Sequence, residues 1–218
     1  MLIREIAAGR LLDGERLPPE REMAKTLGLA VGTLRKALDE LETRGLLERI
    51  HGSGNYIRHD PKATGVYAFF RLELCDGGGL PTAEVLDVTR MVKPDHLKKF
   101  GTSAEAHRIR RLRSLSGQPV ALEEIWLDGD RADRLSPAKM SESLYLFYRQ
   151  SLGLWVARAE DLVGIGTVPD WAPPQFPVRA GRPSGQVERR AMTGDGDTVE
   201  FSTTWFDSDK CRYVSRMR

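Results

Sequence analysis

Apolar positions in the first sixty residues recur at helical spacing and then switch to alternation. Leu2, Ile3 and Ile6 fall on one side of a helix predicted over 2–9, which the run DGERLPPERE ends through Gly14, Pro18 and Pro19. Pro19 suits the first turn of a second helix, PEREMAKTLG, with Glu20 and Glu22 near its positive end. Met23, Ala24 and Leu27 form its inward side, and Gly28 stops it. A third helix follows after a short turn. In AVGTLRKALDELETRGL, Val31, Leu34, Ala37, Leu38 and Leu41 recur at steps of three and four, and Gly45 is placed to cap the end. The stretch LLERIHGSGNYIR, residues 46–58, then sets two short strand-like runs around a glycine-rich tip, which predicts a hairpin.

From His59 to Ala68 the residues turn small, polar and turn-forming, so a linker is expected over 59–68, between a domain at 1–58 and another at 69–218. Beyond it the pattern is of strands: FFRLELC, AEVLDVTRMV, HRIRRLRSL, PVALEEIWL, RAEDLVGIG, GQVERRAM, TVEFSTTWF and CRYVSRM. Two helical pieces, PDHLKKFG and SESLYLFYRQSLG, interrupt them without regular strand–helix alternation. The expectation is an α+β domain with a largely antiparallel sheet.

Composition narrows the function classes. The chain has 218 residues and a formal net charge of +2, so a case for nucleic acid must rest on local placement of charge. No apolar run is long enough to span a bilayer, and MLIREIAAGR carries charges where a signal's apolar segment would lie; a cytoplasmic protein is expected. Cys75 and Cys211 are read as packing residues, because their count and spacing suit neither a disulfide scaffold nor a zinc site.

Two helices joined by a short turn and followed by a hairpin make a winged helix-turn-helix pattern. The stretch LPPEREMAKTLGLAVGTLRKALDELETRGLLERIHGSGNYI resembles the winged-helix domain of GntR-type transcription regulators. The likeness rests on LPxER, TLRKALDELETRGLL and GSGNYI in that order and spacing, and it covers the first quarter of the chain. Chemistry agrees with it. Arg21 opens the second helix and Arg35 lies early in the third, where guanidinium groups can fork onto guanine edges or phosphates. Gly32 and Thr33 sit at the N-terminal end of that recognition helix, which favours phosphate. The wing tip is His51, Gly52, Ser53 and Gly54. The resemblance implies that Arg21, Gly32, Thr33, Arg35, His51, Gly52, Ser53 and Gly54 contact double-stranded operator DNA. One departure stands out: Ala30 and Val31 replace the polar residues common there, leaving only methyl contacts for base readout.

The remainder of the chain resembles, more loosely, the UTRA effector domain of the HutC branch, with a fold similar to chorismate lyase and a mixed or antiparallel sheet. The likeness rests on RIRRLRSLSGQPVALEEIWL, SLYLFYRQSLG and TVEFSTTWFDSDKCRYV. Period-two geometry puts Arg111 and Arg113 on one strand face, adjacent donors of the sort that hold a carboxylate, phosphate or sulfonate. Ser143 begins a helix, a second seat for an anion. Glu123 and Glu200 would meet donor groups of the same ligand. By resemblance, Arg111, Arg113, Glu123, Ser143, Tyr145 and Glu200 line an effector pocket. Plainer readings stand beside these: the arginines as the wet face of a half-exposed strand, and Ser143 as an ordinary helix cap. Trp126, Trp155, Trp171 and Trp205 read as core or rim, and Phe206 stands where relatives often carry a tyrosine.

A chorismate lyase-like fold raises the rival reading of an enzyme fused to a DNA-binding domain. Fold alone does not confer chemistry, and the sequence shows no nucleophile–base motif, metal-spaced cluster or phosphate loop. GDGD, at Gly194 to Asp197, is read as a hairpin turn. The expectation is a homodimeric regulator, a repressor by the usual outcome, that takes a small anionic metabolite and has no metal or other cofactor.

Overall fold

The computed structural model describes residues 2, 11, 14–43, 45–58, 69–140 and 143–215. The predicted first helix falls outside them but for Leu2. Two compact units are present, residues 1–70 and 71–215.

In the first unit, α1 (Glu20–Thr26) and α2 (Val31–Thr43) pack against a hairpin of β1 (Leu47–Ile50) and β2 (Gly54–Ile57). Their core is Leu17, Met23, Ala24, Leu34, Leu38, Leu41, Leu46, Leu47 and Ile57, with Leu27 and Val31 partly buried against it. Ala37 departs from expectation and is exposed. It lies at the margin of the Leu34–Leu38–Leu41 stripe, where a methyl group is too short to reach the core. The end of α2 is set by Gly45 at φ 70°, with Gly45 N–H bonded to the Glu42 carbonyl and Leu46 N–H to that of Leu41. These paired bonds turn the chain straight into β1. The DGERLPP run does more than break a helix. Leu17 N–H bonds the Asn55 carbonyl, and Ile57 N–H bonds that of Glu15, so residues 14–17 lie antiparallel beside β2, bridged at Arg16 and Tyr56.

The second unit is built on a six-stranded antiparallel sheet in the order β4–β5–β6–β9–β8–β7. Its strands are β4 (Pro81–Val92), β5 (Glu105–Leu115), β6 (Gln118–Asp128), β7 (Arg158–Thr167), β8 (Pro183–Met192) and β9 (Thr198–Phe206). A small ribbon pairs β3 (Leu72–Leu74) with β10 (Cys211–Tyr213). One helix, α3 (Leu144–Leu152), covers one sheet face. On the other, Leu112 and Leu122 pack with Val168 and Phe176 from the β7–β8 connection. The segment Gly194 to Asp197 is the turn between β8 and β9, closed by Thr193 N–H on the Asp197 carbonyl. The sheet matches the antiparallel α+β expectation. Among the described residues no helix is long and apolar enough to cross a membrane.

Two expectations need correction. PDHLKKFG is a turn, with Leu97 N–H on the Pro94 carbonyl. Its ends are tied down individually: Lys93 Nζ donates to the carbonyls of Phe100 and Ser103 at 2.6 Å each and to Asp128, while Phe100 is buried against Ala106 and Trp126. Gly101, at φ 60°, lies so close to the Asp128 carboxylate that a Cβ would come within 2.1 Å of it. Three such anchors over residues 93–101 leave no room for helical pairing. The second correction concerns Cys75, which is exposed, whereas Cys211 is buried as expected. Burial pushes the Cys211 thiol up to about 12.

Candidate functional site

Two groups of residues carry chemistry, one in each unit. In the first unit the α1 and α2 starts and the wing all present exposed groups. Arg21, Gly32, Thr33 and Arg35 are exposed on α1 and α2, and His51 and Gly52 are exposed at the wing tip. Gly52 takes φ 73°, a conformation that glycine adopts without strain, and Ser53 N–H closes the turn on the Ile50 carbonyl. Ser53 and Gly54 are partly buried; the Ser53 hydroxyl is bonded to Tyr56 OH at 2.6 Å, and the Arg16 side chain lies over Gly54. Thr33 N–H is bonded to the Ala30 carbonyl, which leaves its side chain as the outward group. Val31 is half-withdrawn into the core, so Ala30 alone is exposed at the departure noted above. Arg49 is scaffold, paired with Asp39 at 2.5 Å and Glu42 at 3.4 Å.

Arg35 is held. Its Nε donates to Glu20 Oε2 at 2.6 Å, which lowers the Glu20 carboxyl and raises the guanidinium from their usual ranges. Glu20, Arg49, His51 and the wing backbone line a cleft of about 480 Å³ between the wing and the start of α1.

In the second unit the sheet register brings charged residues onto the face under α3. Arg111 stands opposite Glu123 on β5 and β6, and Glu123 opposite Thr204 on β9. Arg113 lies two residues along the same face. Neither arginine is the wet face of a strand: they are 2% and 8% exposed. Both meet one carboxylate, Arg111 Nη2 at 2.6 Å from Glu123 Oε2 and Arg113 Nε at 3.0 Å from Oε1. Burial opposes the charge on Glu123, but the two guanidiniums prevail and hold its carboxyl at about 2; burial brings Arg113 down to about 10.

Glu200 behaves in the opposite way. It is 2% exposed and accepts from Tyr145 OH at 3.1 Å and Tyr148 OH at 2.7 Å, both on α3. Burial dominates over these bonds and raises its carboxyl to about 7. The same burial, with Glu200 alongside, pushes both tyrosines well above their usual value. Ser143 caps α3 by accepting from Leu146 N–H at 3.3 Å, the plainer of its two readings. Phe206 is buried and packs against Gly185, where a Cβ would stand 2.3 Å from its ring; that contact suits a ring without a hydroxyl. Trp126 is core, and Trp171 and Trp205 meet edge-to-face at 5.9 Å.

Four residues of this layer escaped the sequence reading. Arg189 forks onto Asp161 with two bonds of 2.6 Å and also bonds Tyr145, and Tyr213 OH donates to Asp161 at 2.7 Å. Burial opposes the charge on both members, yet pairing raises Arg189 and lowers Asp161. A signal existed in the alternation. Arg189 shares a strand face with Val187 and Ala191, and Asp161 shares one with Ala159 and Val163. Tyr148 lies one helical turn after Tyr145. Arg111, Arg113 and Arg189 thus face Glu123, Asp161 and Glu200 in a largely buried polar layer, an arrangement that contributes little net stability and marks a candidate binding site.

Known proteins resemble this chain over both units. Residues 1–57 match the bacterial regulatory proteins of the gntR family, and residues 76–212 match the UTRA domain. The HTH-type transcriptional regulator SmoD of Agrobacterium fabrum is 60% identical over 218 residues, spanning 100% of this chain and 93% of that protein. The HTH-type transcriptional repressor NagR of Bacillus subtilis is 22% identical over 219 residues, spanning 98% and 90% of the two. A ligand-binding domain from Bordetella bronchiseptica, assigned to the GntR family, superposes with a TM-score of 0.61 at 22% identity. That match covers 69% of this chain and 98% of the other, and it establishes the fold of the second unit.

Proposed function

Because the chain belongs to the gntR family of bacterial regulatory proteins and carries a UTRA domain, we propose that it is a transcription regulator whose operator binding is governed by a small anionic metabolite held in the second unit. Its relatives are HTH-type regulators and repressors. The reading includes a winged helix at 1–58, a linker at 59–68 and an effector domain at 69–218, in a homodimer of the HutC branch acting in the cytoplasm as a repressor. The second unit supplies the dimer contact. A catalytic role for the chorismate lyase-like sheet is not favoured.

The observation that carries the effector reading is the buried layer around Glu123 and Glu200. Each arginine there already faces a carboxylate, so a bound anion takes over donors of Arg111, Arg113 or Arg189 from Glu123 or Asp161. Glu200, with a carboxyl near 7, takes up a proton as the ligand's negative charge arrives. Because α3 reaches this layer through Tyr145 and Tyr148, an exchange of partners there moves a helix. A two-state shift of that kind changes the spacing of two winged helices and hence their fit to an operator.

The reading is tested by mobility shifts of the purified chain on its own promoter DNA, with small anionic metabolites added in turn. Release by one anion, lost when Arg111 and Arg113 are both replaced by lysine, is the expected result; release that survives the double replacement removes those arginines from the site. In the same assay Arg35→Ala is expected to weaken operator binding by about 1–3 kcal/mol while leaving thermal unfolding unchanged. Undiminished affinity contradicts its placement in the groove.

A further inference from the structure

We propose that Glu20 is the specificity-determining positioning residue of the DNA-binding face: it turns Arg35 so that its outer fork reads one guanine. The inference rests on the DNA-binding reading above and asks what an acid is doing in the middle of that face.

The dipole of α1 favours an acid at its start, but a surface that meets DNA does not. Phosphate contact accounts for most of the affinity of such a domain, and a carboxylate beside the duplex repels it. Glu20 nonetheless sits at the meeting point of the three DNA-facing elements. It begins α1, it accepts from Arg35 of the recognition helix at 2.6 Å, and it is hydrogen-bonded by the Asn55 side chain on wing strand β2. The Arg35 side chain is 63% exposed and that of Glu20 only 25% exposed, so the acid is the fixed partner and the arginine the one it steers.

The atom used matters. Glu20 takes Nε, on the side of the guanidinium, and among the described residues the Nη1 and Nη2 end of Arg35 meets no acceptor. That end carries the parallel donors that match O6 and N7 of guanine in the major groove. A free arginine on a helix samples many rotamers and binds phosphate as readily as a base edge. Anchoring Nε removes most of that freedom and points the fork along one direction. Glu20 therefore lowers general attraction to DNA and raises discrimination at one base pair.

The test is selection of bound duplexes from a random DNA library by the full chain, compared across variants whose folding is checked by thermal melts. The wild type is expected to select a motif with a guanine that Arg35→Ala no longer prefers. Glu20→Ala, which removes the acceptor, should lose the same position, its preference falling roughly tenfold, while the other positions stay and binding to unselected DNA holds or rises. Glu20→Asp keeps the charge at the helix start but is a methylene too short to reach Arg35, and it should lose that position too. A wild-type motif from both Glu20 variants overturns the proposal, as does an even weakening at every position, which is what a purely structural role gives. If the wild type selects no motif, the DNA-binding reading itself fails, and the assignment of Glu20 falls with it.

Discussion

Replacing Glu123 with alanine is expected to destabilise the second unit by on the order of 3–5 kcal/mol, the largest single-residue effect anticipated here. The side chain is the shared counter-ion of Arg111 and Arg113, which lie on the same buried strand face. Removing it leaves two guanidiniums near each other with little solvent to screen them. Burial already brings Arg113 down to about 10 with the carboxylate present, which shows how much the environment resists its charge. All four tryptophans, Trp126, Trp155, Trp171 and Trp205, lie in the second unit, so denaturant unfolding followed by tryptophan fluorescence reports this unit alone. A loss below about 1 kcal/mol would place the pair among exposed ion pairs of small net value and contradict the burial argument.

Glu200→Gln is expected to act in the other direction, and to do so only above mildly acidic pH. The Glu200 carboxyl is raised from 4.5 to about 7 in the folded protein, so the native state binds its proton more tightly than the unfolded chain does. The stability linked to that proton is fully present below pH 4.5 and is lost as pH rises through about 7. A shift of this size is on the order of 3 kcal/mol. The glutamine variant has no proton to lose there. Wild type and variant should therefore be similarly stable near pH 5, and the variant the more stable at pH 8. Glu123 and Asp161 do not confuse the comparison, because their carboxyls are lowered and their contribution disappears only as pH falls below the ordinary carboxylate range. A stability difference between wild type and variant that does not change between pH 5 and 8 contradicts the assignment. Both proteins need measurement without added anions, since a bound ligand would supply its own linkage.

Local pattern made α1, α2 and the wing hairpin of the first unit legible. Leu34, Leu38 and Leu41 mark the core side of α2 by spacing alone, and Gly45 and Gly52 mark turns that few other residues can make. What escaped were pairings between residues far apart in the chain, which propensity does not encode: residues 14–17 read as a break yet lie alongside β2, some forty positions on, and in the second unit PDHLKKFG loses its helix to anchors at Lys93, Phe100 and Gly101. Strand existence in the second unit was visible from alternation, while strand order was not, because the pairing of β6 with β9 joins residues some eighty positions apart. The buried layer suffers from the same gap. Arg111 and Arg113 could be placed on one face, but that Glu123 sits across from Arg111 follows from register, and that Arg189 and Asp161 join them follows from the β7–β8 hairpin. A strand's sequence says which residues share a face; only the fold says whether that face is wet.

The central claim is that an anion lodged among Arg111, Arg113 and Glu200 weakens the hold of the winged helix on DNA. Thermodynamic reciprocity gives the most direct test: an effector that loosens DNA binding by some factor must itself be bound more weakly by the DNA-loaded protein, by the same factor. Calorimetric titration of the releasing anion into the full chain, with and without a saturating operator duplex, measures both sides. The account predicts weaker anion binding in the presence of the duplex, by a factor equal to the loss of DNA affinity. Equal anion affinity in the two titrations would contradict it.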